Sequence, residues 1–300
     1  MFYTGFADEA GKGIDAQIRA TKELGWTHIE TRAVDGVNIT DISDAAFDAV
    51  EEKLAAAGLR VSCFGSTVAN WGKDPRKEED FQRSREELAR AIVRMRRLGC
   101  TAIRGMSFTA VRDARPDSPE IEAEIFRKLP VLVRMCEDGG VMYLHENCAN
   151  YGGLSFEHTL RLLDRIHSDS FALIFDTGNP VATLDHRGSP PYKLQSSWEF
   201  YTHVKPFIRS VHIKDGEFLA HTGGIFADAR YTWPGEGKGD VRRIVADLLK
   251  GGYDGPFSME PHMAAVFHDS SKASPEEAAY ATYVEYGRRF MKLVSECRVA

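Results

Sequence analysis

The sequence has no apolar run near the roughly 18 residues that a membrane-spanning helix needs. No membrane partner is therefore expected. It has no low-complexity segment and no Pro/Ser-rich linker, which points to a single domain. Cysteine is scarce: Cys63, Cys100, Cys136, Cys148 and Cys297 make an odd set of five without a CxxC pair. That excludes a disulfide framework and a thiolate zinc site, and it fits free thiols in a reducing cytosol. Positive charge is in deficit. Lys plus Arg is 38 against 44 Asp plus Glu, a net charge of −6. Non-specific binding to nucleic acid needs a basic surface, so no nucleic-acid partner is expected. The opening MFYTGFADEAGKG has neither a charged leader nor an apolar core of the signal-peptide kind. A cytoplasmic location is expected.

What is there is ordinary in bulk and ordered in pattern. The 300 residues are 43% hydrophobic and 27% charged, the balance of a soluble globular chain. A short strand-like run and a longer amphipathic run alternate along the chain. Strands are predicted at Phe2–Phe6, Thr27–Glu30, Leu59–Phe64, Thr101–Met106, Val141–Glu146, Phe171–Asp176, Ile208–Ile213 and Pro256–Glu260. Helices are predicted at Gly13–Leu24, Ser43–Ala57, Glu78–Leu98, Glu120–Asp138, Ser155–Ile166, Ser197–Lys205, Val241–Leu249 and Pro275–Val294. Ser43 and Ser274 are the expected caps, and Pro130 is expected to kink or split its helix. Eight strand–helix units in an α/β chain of this length predict a (β/α)₈ TIM barrel. An open doubly wound sheet wants GxGxxG after its first strand, and GFADEAGKG does not supply it.

Three strand-to-helix connections are long: Gly65–Lys77, Thr177–Ser196 and Lys214–Asp240. In a barrel such loops gather at the C-terminal rim, where active sites are built. The third carries WPGEGKGD, which suits a lid. GEGKG lacks the strand-to-helix context of a phosphate loop.

Four consecutive predicted strands end on a polar residue after an apolar stretch: Glu146 in VMYLHE, Asp176 in FALIFD, His212 in IRSVHI and Glu260 in PFSME. Three carboxylates on one rim repel unless a positive charge lies between them. A divalent ion is the obvious remedy. Oxygen donors with one imidazole suit Mn²⁺, Mg²⁺, Co²⁺ or Zn²⁺, and the carboxylate-rich shell leans to Mn²⁺ or Mg²⁺. Lys214, two residues past His212, faces the same interior and is a candidate acid/base, oxyanion partner or counter-charge to Asp176. Glu30, Asn179 and His262 are candidate substrate contacts, and Trp233 is a candidate cover for a sugar ring. For each of the four a purely structural role is the competing reading.

With these residues in view the sequence resembles the sugar phosphate isomerase/epimerase superfamily, the xylose-isomerase-like barrels. The resemblance runs nearly end to end through FADEA, IETRAVDG, HEN, FDTGNP, VHIKD, PGEGKGD and MEPH. It implies that Glu146, Asp176, His212 and Glu260 are metal ligands. The superfamily includes ketose 3-epimerases, hydroxypyruvate isomerase, inosose dehydratase and isomerase, 3-dehydroshikimate dehydratase and apurinic endonucleases. Two departures stand out. Ketose epimerases and the endonucleases commonly carry His where this chain has Asn179, and the extra His and Asp ligands of a three-zinc cluster are missing. The resemblance also implies a homo-oligomer.

The expected chemistry is proton abstraction α to a carbonyl through an enediolate, on a small keto-sugar or polyol. Glu146 and Glu260 would act as base and acid, and Lys214 would steady the oxyanion. Dehydration of a keto-sugar or keto-inositol by the same site is the alternative reaction. A non-catalytic sugar-binding subunit is the alternative class.

Overall fold

Each strand is a short apolar run whose side chains alternate between two faces, so neighbouring strands build a barrel with distinct inner and outer surfaces. The computed structural model describes residues 1–220, 228–263 and 274–299. Its main sheet has eight parallel strands: β1 (Phe2–Gly5), β2 (His28–Thr31), β3 (Arg60–Gly65), β4 (Ala102–Gly105), β5 (Met142–Glu146), β6 (Phe171–Asp176), β7 (Ile208–Ile213) and β8 (Pro256–Met259). The order is β1-β8-β7-β6-β5-β4-β3-β2. A parallel bridge between Phe6 and Glu30 joins the two ends of that order. The helices that follow the strands are α1 (Ile14–Glu23), α2 (Asp44–Ala56), α3 (Glu78–Leu98), α4 (Pro119–Gly139), α5 (Phe156–Ile166), α6 (Ser197–Val204), α7 (Val241–Lys250) and α8 (Pro275–Val299). This is the (β/α)₈ barrel expected from the alternation.

The two faces of the strands take different residues. Cys63, Leu144, Ala172 and Ile174 pack together as a small cluster inside the barrel. Leu173, Phe175, Val211, Phe257 and Met259 belong to the larger core between strands and helices. Phe175, for example, meets Phe200 and Tyr201 of α6 at ring distances of 5.9 and 5.8 Å. The small inner cluster leaves the upper interior to polar side chains.

Caps fall where the hydroxyl residues stand. Ser43 accepts the Ala46 N–H at the start of α2. Ser274 accepts the Glu277 N–H, and the Glu277 carboxylate accepts the Ser274 N–H in return, a reciprocal box that opens α8. Pro130 corrects an expectation, because α4 is not split and runs through it as one helix. Proline withholds one N–H from the Phe126 carbonyl. Burial of Ile125, Leu129, Leu132 and Val133 on both sides of it holds the helix together.

The long connections are more structured than their composition suggests. Leu184–Asp185 pairs with Lys193–Leu194, and Gly216–Ala220 pairs with Asp228–Tyr231, both antiparallel. Part of the third connection, 221–227, lies outside the described residues. Its glycine-rich end cradles the protein's own anion. The Asp215 carboxylate accepts the N–H groups of Gly216, Gly235, Gly237 and Gly239 at 2.8–3.0 Å. A Cβ on Gly237 would fall 2.4 Å from that carboxylate, so the turn requires glycine there. Among the described residues no helix is long and apolar enough to cross a membrane.

One stability prediction arises from α5. His158 is buried, with Nδ1 2.7 Å from Ser155 Oγ. Burial, helped by Arg161, pushes its pKa down from 6.5 to about 4. Below about 6.5 the unfolded chain takes up a proton that the folded chain refuses until about 4. Stability from this group is full above the higher value and is lost as the pH falls through that window. The melting temperature is expected to fall more between pH 7 and 5 in wild type than in His158→Gln. An equal fall in both would contradict the assignment.

Candidate metal centre

Glu146, Asp176, His212 and Glu260 converge at the C-terminal ends of β5 to β8. Adjacent strands pair Asp176 with His212 and His212 with Ser258, which sets these side chains at one level of the barrel. One ligand atom from each of the four lies within 4.8 Å of all the others, and all four residues are buried. The donor set is three carboxylates and an imidazole, which suits a divalent cation.

Each of the four side chains is held in place by its surroundings. Asp176 Oδ1 accepts the backbone N–H groups of Gly178 and Asn179 at 2.8 and 2.6 Å. Its Oδ2 is buried and lacks a well-directed hydrogen bond, although Lys214 Nζ stands 3.0 Å away. Asn147, the last residue of HEN, clamps the Asp176 backbone with both ends of its amide. Burial raises the Asp176 pKa to about 6. Glu146 places Oε2 3.2 Å from Arg104 and Oε1 3.2 Å from His212 Nδ1. Burial pushes the Glu146 carboxyl up, but Arg104 and His212 hold it below the usual range. Glu260 binds Arg32 through Oε1 at 2.7 Å and Lys214 through Oε2 at 3.0 Å. Burial is again outweighed, here by Lys214, His262 and Arg32, and the carboxyl stays well below 4.5.

His212 faces the cluster with Nδ1, since Nε2 lies 3.2 Å from both oxygens of Glu30. Ser258 donates to the same Glu30 carboxylate. A carboxylate behind the imidazole fixes its tautomer and raises its basicity, the usual arrangement behind a metal-binding histidine. The structure places Glu30, the predicted substrate contact, behind His212 and Ser258. Glu30→Gln is expected to weaken divalent-metal affinity by roughly 10–100-fold. Titration with Mn²⁺ or Zn²⁺ checks this, and unchanged affinity would contradict the role.

The other predicted residues take distinct positions. The Asn179 amide donates to the Asn147 carbonyl at 2.9 Å and reaches Glu146 Oε1 at 3.5 Å. His262 is partly exposed, with Nδ1 2.8 Å from Glu9 and Nε2 3.6 Å from Glu260. Trp233 packs on α8, with Arg289 4.1 Å over its ring and Tyr286 beside it. Lys214 lies inside the carboxylate group, as its two-residue spacing from His212 implies.

A cavity of about 830 Å³ opens beside the centre, lined by Asp8, Glu9, Lys12, Arg32, Tyr231 and His262 among others. Sequence reasoning passed over Arg32 and Arg104. Arg32 binds Asp8, Glu9 and Glu260 together. It and Arg104 both lie over the ring of Phe6. The available signal was an arginine inside TAIRGM, an apolar strand with no polar face to put it on.

The fold and the site together define a parallel (β/α)₈ barrel with a buried carboxylate–imidazole group at its C-terminal rim that could hold a metal ion. The match to a known family makes this specific. The family model of the xylose isomerase-like TIM barrel matches residues 18–289, and the chain belongs to that family. No curated protein sequence matches it. Among solved structures it is similar to an IOLI protein with a bound zinc atom, at 18% identity over 99% of both chains and a TM-score of 0.71. It is similar to a D-tagatose 3-epimerase-like protein, at 17% identity over all of both chains and a TM-score of 0.69. It is also similar to a xylose isomerase-like TIM barrel protein from Mycobacterium smegmatis in complex with magnesium, at 16% identity over 98% of this chain and 97% of that one, with a TM-score of 0.65. At these identities the likeness shows the fold.

Proposed function

We propose that the protein is a divalent-metal-dependent isomerase or epimerase of a small keto-sugar or polyol. One observation carries the reading: three buried carboxylates and a buried imidazole present ligand atoms within 4.8 Å of one another beside a cavity. Asp176 Oδ2 and His212 Nδ1 fit the role of ligands because their partner atoms are already engaged elsewhere. Sugar-epimerase-like, zinc-bound and magnesium-bound neighbours of the same fold support it.

A bound divalent ion supplies Lewis acidity towards a carbonyl oxygen and its neighbouring hydroxyl. The chain's own residues do the rest. Glu146 and Glu260 are ionised carboxylates on strands β5 and β8, three strands apart around the rim. One takes the proton α to the carbonyl and the other returns one. Return to the opposite face of the same carbon epimerises it, and return to the neighbouring carbon isomerises aldose and ketose. Lys214 contributes positive charge beside the developing oxyanion. Arg32 keeps Glu260 ionised and oriented through the 2.7 Å contact.

The two arginines of the site are already matched to its acids. Arg32 serves three carboxylates and Arg104 serves Glu146. The test is a screen of metal-loaded protein with free ketoses and keto-inositols in D₂O. Deuterium entering the carbon α to the carbonyl, without loss of water, is the expected result. An enone absorbance with release of water would replace this reading with the dehydratase one. No exchange with any substrate would favour a binding subunit.

A further inference from the structure

We propose that Lys214 and the divalent ion compete for the same oxygens, so that metal loading swings the Lys214 ammonium out of the carboxylate cluster and into the cavity. The inference rests on the metal-site reading given above and concerns a residue that reading uses only as a charge. Lys214 Nζ stands 3.0 Å from Asp176 Oδ2 and 3.0 Å from Glu260 Oε2. Both residues belong to the four that converge within 4.8 Å. An ion that takes these oxygens meets an ammonium on them, and two cations on one pair of carboxylates repel strongly in a buried site.

The surroundings hold the backbone of Lys214 still, so any movement belongs to its side chain. Thr177 Oγ1 donates to the Lys214 carbonyl at 2.6 Å and lies 3.1 Å from the Lys214 N–H. The next residue, Asp215, is fixed by its four backbone donors. One flank of the stem is closed, since a Cβ on Gly178 would fall 2.7 Å from Lys214 Cγ. The other direction leads towards Tyr231, which feels the Lys214 charge and lines the cavity. Displaced this way, the Lys214 ammonium would move off Asp176 and Glu260 towards Tyr231 on the cavity wall. In the structure the same lysine offsets the charge of Asp176 and Glu260.

The experiment compares wild type, Lys214→Met and Asp176→Asn, each stripped of metal and titrated with Mn²⁺ and with Zn²⁺ at fixed pH. Lys214→Met is expected to bind either ion roughly ten-fold or more tighter than wild type, because a buried competitor has gone. Equal or weaker binding by Lys214→Met, with wild type binding and Asp176→Asn failing, would overturn the competition and leave the metal site standing. No binding by wild type would overturn both. A second measurement needs no variant. Amine acylation of wild type, read by mass spectrometry, is expected to spare the buried Lys214 without metal and to modify it with metal. Equal protection in both conditions would overturn the swing.

Discussion

Asp176→Asn is expected to bind Mn²⁺ or Zn²⁺ at least about 100-fold more weakly than wild type, more than the roughly 10–100-fold that loss of an outer partner costs. The reason is local. Asp176 Oδ1 is tied to two backbone N–H groups, so Oδ2 is the atom that meets a cation. An amide at this position keeps the shape and removes the charge. It also places either an NH₂ donor towards the centre or an oxygen there and an NH₂ against the two N–H groups, and both arrangements are unfavourable. The fold is expected to survive, because the Asp176 backbone stays clamped by Asn147. A metal titration with a far-ultraviolet spectrum of the same sample checks both parts. Undiminished binding would remove Asp176 from the ligand set.

Glu260→Gln is expected to lower kcat by about 10²–10⁴-fold at saturating metal, the usual weight of one acid–base group. Lys214, His262 and Arg32 hold this carboxyl well below 4.5 against the effect of burial, so it is ionised at neutral pH. The isotope readout separates it from Glu146. If Glu260 returns the proton, the variant still exchanges deuterium at the α carbon while forming little product. If Glu260 removes the proton, exchange and product fall together. Both variants retaining wild-type kcat would contradict a carboxylate pair. Glu146→Gln supplies the complementary pattern.

The difference between what was readable and what was not follows from range. Strand and helix positions depend on neighbours a few residues away, and the periodicity and the caps at Ser43 and Ser274 carried them. The four rim residues are readable because each stands at or beside the end of its own strand, one local signal repeated four times. The sequence offers Glu30 as a substrate contact or a structural residue, and its hydrogen-bond partner His212 is 182 positions away, brought near only by the barrel. Arg32 was invisible for the same reason, since Glu260 is 228 positions distant. Trp233 looked like a cover for a sugar because Gly-rich loops with an aromatic often close over sites. Its place on α8 depends on Arg289 and Tyr286, which no loop composition announces. Backbone chemistry alone predicts a kink or a split at Pro130, and the buried apolar residues around it keep α4 one helix despite the missing N–H.

The central claim is that one divalent ion binds where β5 to β8 end. Its most direct test is anomalous diffraction from crystals of the Mn²⁺-loaded protein. The account predicts one anomalous peak, at bonding distance from Glu146, Asp176, His212 Nδ1 and Glu260, with Glu30 still on Nε2. Crystals of protein soaked in excess Mn²⁺ with no peak there, or with the peak on Glu9 and His262 alone, would contradict it.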